Sequence, residues 1–299
     1  MTARTAPATQ ERVDAVEVLR YSAFTADPSG GNPAGVVLDA GTLEDTEMLA
    51  IAAQIGYSET AFVTARDEAA RRYRLRYFSP RAEVPFCGHA TIAAAVALAE
   101  RVGPGEFVFH TQAGEVSVAT GTGDDGLPHA TLTSVPARSR PADDVEVEPA
   151  LKALRWAQND LDPALPPHIA FAGNDHLVIA ARTRDRLAAL DYDFDALEEV
   201  MRRHGWTTVH LVWREAADRF DFHARDPFPV GGVAEDPATG AAAAAFGGYL
   251  RSLGLVNGPT QVRIWQGEDM GRPSDLIVEV TPDSARVRVT GQAVRIPEE

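Results

Sequence analysis

Glu59 stands where a strand pattern begins, in Tyr57-Ser58-Glu59-Thr60, just ahead of the apolar run Ala61-Phe62-Val63. Two readings fit a carboxylate there. One is a solvated surface acid. The other is an acid partly desolvated by apolar neighbours, which suits it to take a proton from one atom and return it to another. His89 sits in Pro85-Phe86-Cys87-Gly88-His89, at the head of an alanine-rich run. A lone histidine is commonly a satisfied structural residue. At a helix start the dipole disfavours its protonation, so it can also serve as a neutral donor or acceptor near pH 7. Asp236 lies in Glu235-Asp236-Pro237-Ala238-Thr239-Gly240, at the head of a second alanine-rich run. Helix starts flanked by Gly88 and by Gly240 would offer backbone N–H groups to a carboxylate or phosphate. The plainer reading of the second start is helix capping by Asp236 and Thr239.

Other candidate motifs fail on context. Cys87 is the one cysteine, so no intramolecular disulfide can form, which fits a reducing cytosol. It could act as a nucleophile, but a lone cysteine before a buried helix reads more readily as packing. Cys87 and the eight histidines show no zinc-ligand spacing, and no metal is expected. Gly121-x-Gly123-x-x-Gly126 matches a dinucleotide fingerprint as text, but a strand pattern follows it, so it reads as a hairpin loop. Gly30-Gly31-Asn32-Pro33 is a turn, since no Gly-Lys-Ser/Thr follows. The acidic cluster from Asp191 to Asp195 lacks the glycine and final glutamate of a calcium loop and reads as a solvated turn.

The elements that must hold these residues occur twice. Gly31-Asn32 precedes Val36-Val37-Leu38, and Gly173-Asn174 precedes Leu177-Val178-Ile179. An amphipathic segment from Met48 ends in Gly56-Tyr57, and one from Leu197 ends in Gly205-Trp206; glycine then an aromatic marks a helix stop leading into a strand. Strands are expected over Thr60–Thr64 and Thr208–Trp213, which sets Thr208 opposite Glu59 in the repeat. Period-two alternation follows in Arg72–Pro80 and again in Arg219–Pro227. Each half then reaches a helix of small residues, expected over His89–Val102 and Thr239–Leu253. Both helices are apolar nearly all round and must be buried on every side. Further strands follow each: Glu106–His110, Val116–Thr120 and His129–Thr133, then Val262–Trp265, Leu276–Val280 and Val287–Thr290. The reading is α+β, with two pseudo-symmetric halves, each a curved mixed sheet wrapped around a central helix. The halves are expected over 15–135, with a C-terminal strand over 290–299 joined to it, and over 136–289. The boundary falls in the proline-rich stretch Val135–Pro149, where the strand pattern lapses.

Length and composition set outer bounds. The chain has 299 residues, enough for two domains that need no metal or disulfide to fold. Residues 1–14 are polar, lack an apolar signal region and read as a flexible tail. No run of about 18 apolar residues exists, so no membrane helix is expected. The net charge of −15 repels nucleic-acid phosphates and anionic lipid, so neither is an expected partner.

Several blocks, taken in order, resemble the phenazine-biosynthesis F-like isomerase family. They are Phe24–Val37, Ser58-Glu59-Thr60-Ala61-Phe62-Val63, Tyr77–Thr91 with its Glu-Val-Pro-Phe-x-Gly-His run, and Glu235–Gly240. The resemblance implies the diaminopimelate-epimerase-like fold, a cytoplasmic homodimer, and a biosynthetic role such as one in secondary metabolism. It implies no cofactor and no metal. The family's best-known member isomerises trans-2,3-dihydro-3-hydroxyanthranilate. By resemblance Glu59 would be the general acid/base, and His89 and Asp236 would hydrogen-bond the substrate and position protons. A small anionic substrate would meet Asn32, Ser58, Gly88, Thr239, Gly240 and Ala241. Epimerase relatives use two cysteine thiols, which this chain cannot supply. Phenazine enzymes commonly carry serine where this chain has Ala241, so a hydroxyl donor to the substrate is missing here, which bears on the substrate more than on the proton-transfer chemistry. Two alternatives stand beside this reading: a related tautomerase or epimerase acting on another acid, and a non-catalytic small-molecule binding protein of the same fold.

Overall fold

The computed structural model describes residue 13 and residues 15–297, so nearly all of the tail expected over 1–14 lies outside the described residues. In chain order the elements are β1 (Leu19–Ala23), β2 (Asn32–Val37), α1 (Asp45–Ile55), β3 (Glu59–Asp67), β4 (Arg72–Phe78), β5 (Glu83–Val84), α2 (Gly88–Val102), β6 (Glu106–Thr111), β7 (Gly114–Thr122) and β8 (Pro128–Thr133). Then come β9 (Arg138–Pro141), α3 (Asp144–Leu154), β10 (His168–Phe171), β11 (Asp175–Ala180), α4 (Arg184–Ala188), α5 (Phe194–His204), β12 (Trp206–Arg214), β13 (Asp221–Pro227) and β14 (Glu235–Asp236). The last are α6 (Gly240–Ser252), β15 (Thr260–Gln266), β16 (Ser274–Val280) and β17 (Arg288–Arg295). Unit one comprises Pro33–Leu132 with the described residues of Met1–Ser29 and Gln292–Glu299. Unit two comprises Gly30–Asn32 and Thr133–Gly291.

In unit one, β2 runs parallel to β3, β3 antiparallel to β4, β4 parallel to β6, and β6–β7–β8 form antiparallel pairs. Residues alternate across these strands. Val37, Phe62 and Phe78 face α1, where Met48, Ile51 and Ala52 complete a buried cluster. The opposite face receives α2, in which every residue from His89 to Leu98 is buried. Alanine dominates because a helix enclosed on all sides has room only for short side chains. Close approach is also enforced at Gly35: a Cβ there would lie 2.7 Å from the Thr60 hydroxyl.

Unit two repeats these relations. β11 is parallel to β12, β12 antiparallel to β13, β13 parallel to β15, and β15–β16–β17 antiparallel. Leu177, Ile179, Val209 and Leu211 pack with Leu151 and Leu154 of α3 and Leu197 and Met201 of α5. The other face encloses α6. There Gly247 is required, since a Cβ would meet side-chain carbons of Val280, Val287 and Val278 at 2.9–3.1 Å.

The proline-rich stretch Val135–Pro149 holds more structure than its lapsed strand pattern suggests. It contains β9 and the first turns of α3. Asp143 and Glu146 form a capping box, and Glu146 also accepts two hydrogen bonds from the Arg140 guanidinium at 2.8 and 2.6 Å. That guanidinium holds the Glu146 carboxyl down at about 2. The cap nucleates the helix strongly enough to carry Pro149, which forgoes a single backbone bond.

Candidate active site

The sheet register brings the chemistry-bearing residues to the starts of the two enclosed helices. In unit one, Glu59 is the first residue of β3 and lies beside Ala34 of β2. Its side chain therefore points to the same face as Ala61, the face that holds α2. Cys87 is the N-cap of α2 in extended conformation, and Gly88 and His89 begin the helix. His89 Nε2 lies 3.4 Å from Glu59 Oε2 and 3.4 Å from Ser58 Oγ. Cys87 Sγ lies 3.4 Å from His89 Nδ1 and 3.7 Å from Nε2. The His89 and Glu59 side chains are only 6% and 15% exposed, so this corner is largely dry. Burial lowers the pKa of His89, against a smaller opposing pull from the Glu59 charge. The imidazole is thus neutral at pH 7, with one nitrogen that donates and one that accepts.

The first turn of α2 is held from behind. Thr91 Oγ1 donates to Cys87 O at 2.6 Å and shares a 2.7 Å hydrogen bond with the Tyr77 hydroxyl. An ion pair fixes the preceding turn: Arg76 meets Glu83 through two bonds of 2.6 and 2.7 Å.

Unit two builds a different arrangement on the same frame. Asp236 of β14 accepts from Asn32 Nδ2 at 2.8 Å through one oxygen and from Thr239 Oγ1 at 2.6 Å through the other. Asn32 Nδ2 also donates to Ala238 O at 3.1 Å. Thr239 is the N-cap of α6, but its side chain makes no capping hydrogen bond. In place of the capping bond expected of Thr239, its hydroxyl donates to the Asp236 carboxylate and accepts from Gln266 Nε2. Gly240 and Ala241 open the helix, and Ala241 is half-buried.

Gln266 was not legible as a site residue. It is fully buried at the end of β15. Its Nε2 donates to Asp236 O at 2.8 Å and to Thr239 Oγ1 at 3.0 Å, while its Oε1 accepts from Thr239 N at 3.1 Å. One amide side chain thus closes the turn that carries Asp236. No local motif marks it, since its partners lie 27 and 30 positions away.

At the position matching Glu59, Thr208 pairs with His176 in the parallel register of β11 and β12. Thr208 Oγ1 lies 2.8 Å from His176 Nδ1 and 3.3 Å from Asp226 Oδ1. His210 Nδ1 lies 3.0 and 3.1 Å from the two Asp226 oxygens. All four residues are essentially inaccessible. Burial pushes His176 down to about 4, with a further push from His210 and an opposing pull from Asp226.

Comparison with known proteins is consistent across the chain. The family described as "PhzC-PhzF: Phenazine biosynthesis-like protein" matches residues 21–299. A protein of Escherichia coli O157:H7 described as an uncharacterized isomerase is 31% identical over 286 residues, covering 93% of this chain and 95% of its own. The crystal structure of a PhzF-family phenazine biosynthesis protein from Bacillus anthracis superposes with a TM-score of 0.84 at 28% identity, covering 94% of this chain and 97% of its own. A probable proline racemase from Agrobacterium radiobacter shares the fold, with a TM-score of 0.63 at 13% identity and coverage of 94% and 91%. Together these show an α+β chain of the diaminopimelate-epimerase-like fold.

Proposed function

The chain belongs to the phenazine biosynthesis-like family, and on that premise we propose that it is a cofactor-independent isomerase relocating a proton on a small unsaturated amino or carboxylic acid. The observation that carries this is the Glu59–His89 pair: one carboxylate beside a buried, neutral imidazole at a helix start. Glu59 takes the proton from one substrate carbon and returns it to another. A single group that is base first and acid second suffices for such a shift. His89 donates or accepts a hydrogen bond to hold the substrate as its charge redistributes. Ser58, close to the same ring nitrogen, orients that imidazole.

In unit one the helix-start amide at Gly88 takes the substrate carboxylate; in unit two Asp236 is held by Asn32 and Thr239. Two-thiol epimerisation is closed to a chain with one cysteine. The isomerase description of the relative from Escherichia coli supports the reaction class. Ala241 supplies no hydroxyl, which points to a substrate other than dihydrohydroxyanthranilate itself. The enzyme acts as a cytoplasmic homodimer in a biosynthetic pathway.

The test is proton NMR in D₂O with trans-2,3-dihydro-3-hydroxyanthranilate and related unsaturated amino acids, comparing the wild type with Glu59→Gln. Deuterium uptake by wild type alone supports the assignment. Equal uptake by both proteins overturns the role of Glu59, and no uptake across the panel favours a binding protein of the same fold.

A further inference from the structure

Sulfur, nitrogen and oxygen donors meet at one point in unit one. The ligand atoms of Glu59, Cys87 and His89 all lie within 4.8 Å of one another. Among the described residues this is the group of three or more such side chains close enough to share an ion. We propose that this trio is a capture site for a soft or borderline divalent cation, Zn²⁺ above all, and that occupation shuts down the proton-transfer carboxylate.

Two of the three ligand–ligand edges approach those of tetrahedral ligation, and the third, from Cys87 Sγ to the Glu59 carboxylate, lies within 4.8 Å and closes as the side chains turn. Bonds of about 2.3 Å to sulfur and about 2.0 Å to nitrogen and oxygen give ligand–ligand edges of about 3.5 Å (S to N) and about 3.3 Å (N to O) in a tetrahedron. The observed separations are 3.7 Å from Cys87 Sγ to His89 Nε2 and 3.4 Å from His89 Nε2 to Glu59 Oε2. The sulfur is nearly equidistant from both ring nitrogens, so it lies against the ring and not on a lone-pair line. Capture therefore needs a turn of the imidazole or of the thiol. The thiol gives up its proton to solvent as the metal–sulfur bond forms. Three protein ligands leave the fourth position for water.

Donor chemistry selects the cation. A thiolate and an imidazole favour Zn²⁺ or Co²⁺ over Mg²⁺ or Ca²⁺. The equivalent corner of unit two cannot compete, because the matching residues are Thr208, Thr239 and Ala241. The consequence for turnover rests on the isomerase reading above; the binding itself does not.

The experiment titrates the tag-free protein with Co²⁺ and needs no substrate. The expected result is one Co²⁺ per chain with a thiolate-to-metal charge-transfer band in the near ultraviolet, displaced by Zn²⁺ and not by Mg²⁺. Cys87→Ser abolishes the band and the stoichiometric site, while its circular dichroism stays that of wild type. Glu59→Gln and His89→Gln keep the thiol but each weaken the site at least about 10-fold. The proposal is overturned if the wild type shows no charge-transfer band. It is equally overturned if the band titrates identically in the Glu59 and His89 variants, which would mean a thiol binding alone.

Discussion

The start of α2 and the start of α6 are built on the same frame and differ in how their polar side chains are bonded. Each follows a short antiparallel turn clamped by a two-bond arginine–glutamate pair, Arg76 with Glu83 in unit one and Arg225 with Glu235 in unit two. Behind the clamp the two diverge. At the start of α2 the inward positions carry Glu59, Cys87 and His89, whose mutual distances of 3.4 Å and more are too long for strong hydrogen bonds. At the start of α6 the matching region is knitted by short bonds among Asn32, Asp236, Thr239 and Gln266, with Thr208, His176, His210 and Asp226 alongside. An acid held by several short bonds keeps one geometry; one held by longer contacts has more freedom to move. The two helix starts thus differ in how tightly their acidic side chains are held.

That contrast is broken most directly at Glu59 and Thr208. Glu59→Gln is expected to lower kcat by about 10²–10⁴-fold with little change in KM or in thermal midpoint. The reciprocal Thr208→Glu is expected to confer no activity and to destabilise unit two by about 3–5 kcal/mol, because it buries an acid against Asp226. Calorimetry beside the kinetic assay separates the two outcomes; a tolerated glutamate at 208 would show the units to be interchangeable.

Stability should divide the units at their second pair of matching positions. Asp226→Leu strips His210 and Thr208 of a shared, fully buried acceptor and is expected to cost about 3–5 kcal/mol. Tyr77→Phe, at the corresponding place on β4, removes one bond to Thr91, whose hydroxyl keeps Cys87 O as acceptor. Its cost should be about 1 kcal/mol. Denaturant titration measures both, and equal costs would erase the distinction.

Acid should act on unit two. His176 has its folded pKa depressed to about 4 from the ordinary 6.5, so the unfolded state binds the proton first as pH falls. The stability involved is complete above pH 6.5 and is lost progressively toward pH 4, to the extent of about 3 kcal/mol. Thermal midpoints across that window should fall for wild type and fall less for His176→Asn, which retains a hydrogen-bonding group near the Nδ1 position.

The smallest effect separates the two clamps. The side chains of Arg225 and Glu235 are 11% and 8% exposed, against 23% and 20% for Arg76 and Glu83. Glu235→Gln should therefore cost about 1 kcal/mol more than Glu83→Gln, since water and Asp45 still serve Arg76. Matched denaturation curves would reveal an inverted order if burial were not the deciding factor.

Much of this was already written in the chain. Alternation and all-round apolarity announced the strands and the two enclosed helices: α2 was expected from His89 and begins at Gly88, and α6 was expected over Thr239–Leu253 and spans Gly240–Ser252. The glycine-rich run at 121–126 lies in the β7–β8 hairpin, as its sequence context required. These features are local or periodic, and period is what an apolar face imposes on a sequence. Which polar groups meet is another matter. Glu59 and His89 come together only because β2 and β3 pair in one parallel register and α2 threads the sheet's inner face. The Thr239 hydroxyl donates to Asp236 and accepts from Gln266 Nε2, 27 positions on, instead of capping its helix. Cys87, read from sequence as packing, rests against the His89 ring. The sequence by itself determined the repeated frame and the chemical groups present; tertiary structure alone decided their pairing, because a hydrogen bond depends on distances of a few tenths of an ångström that no spacing along the chain encodes.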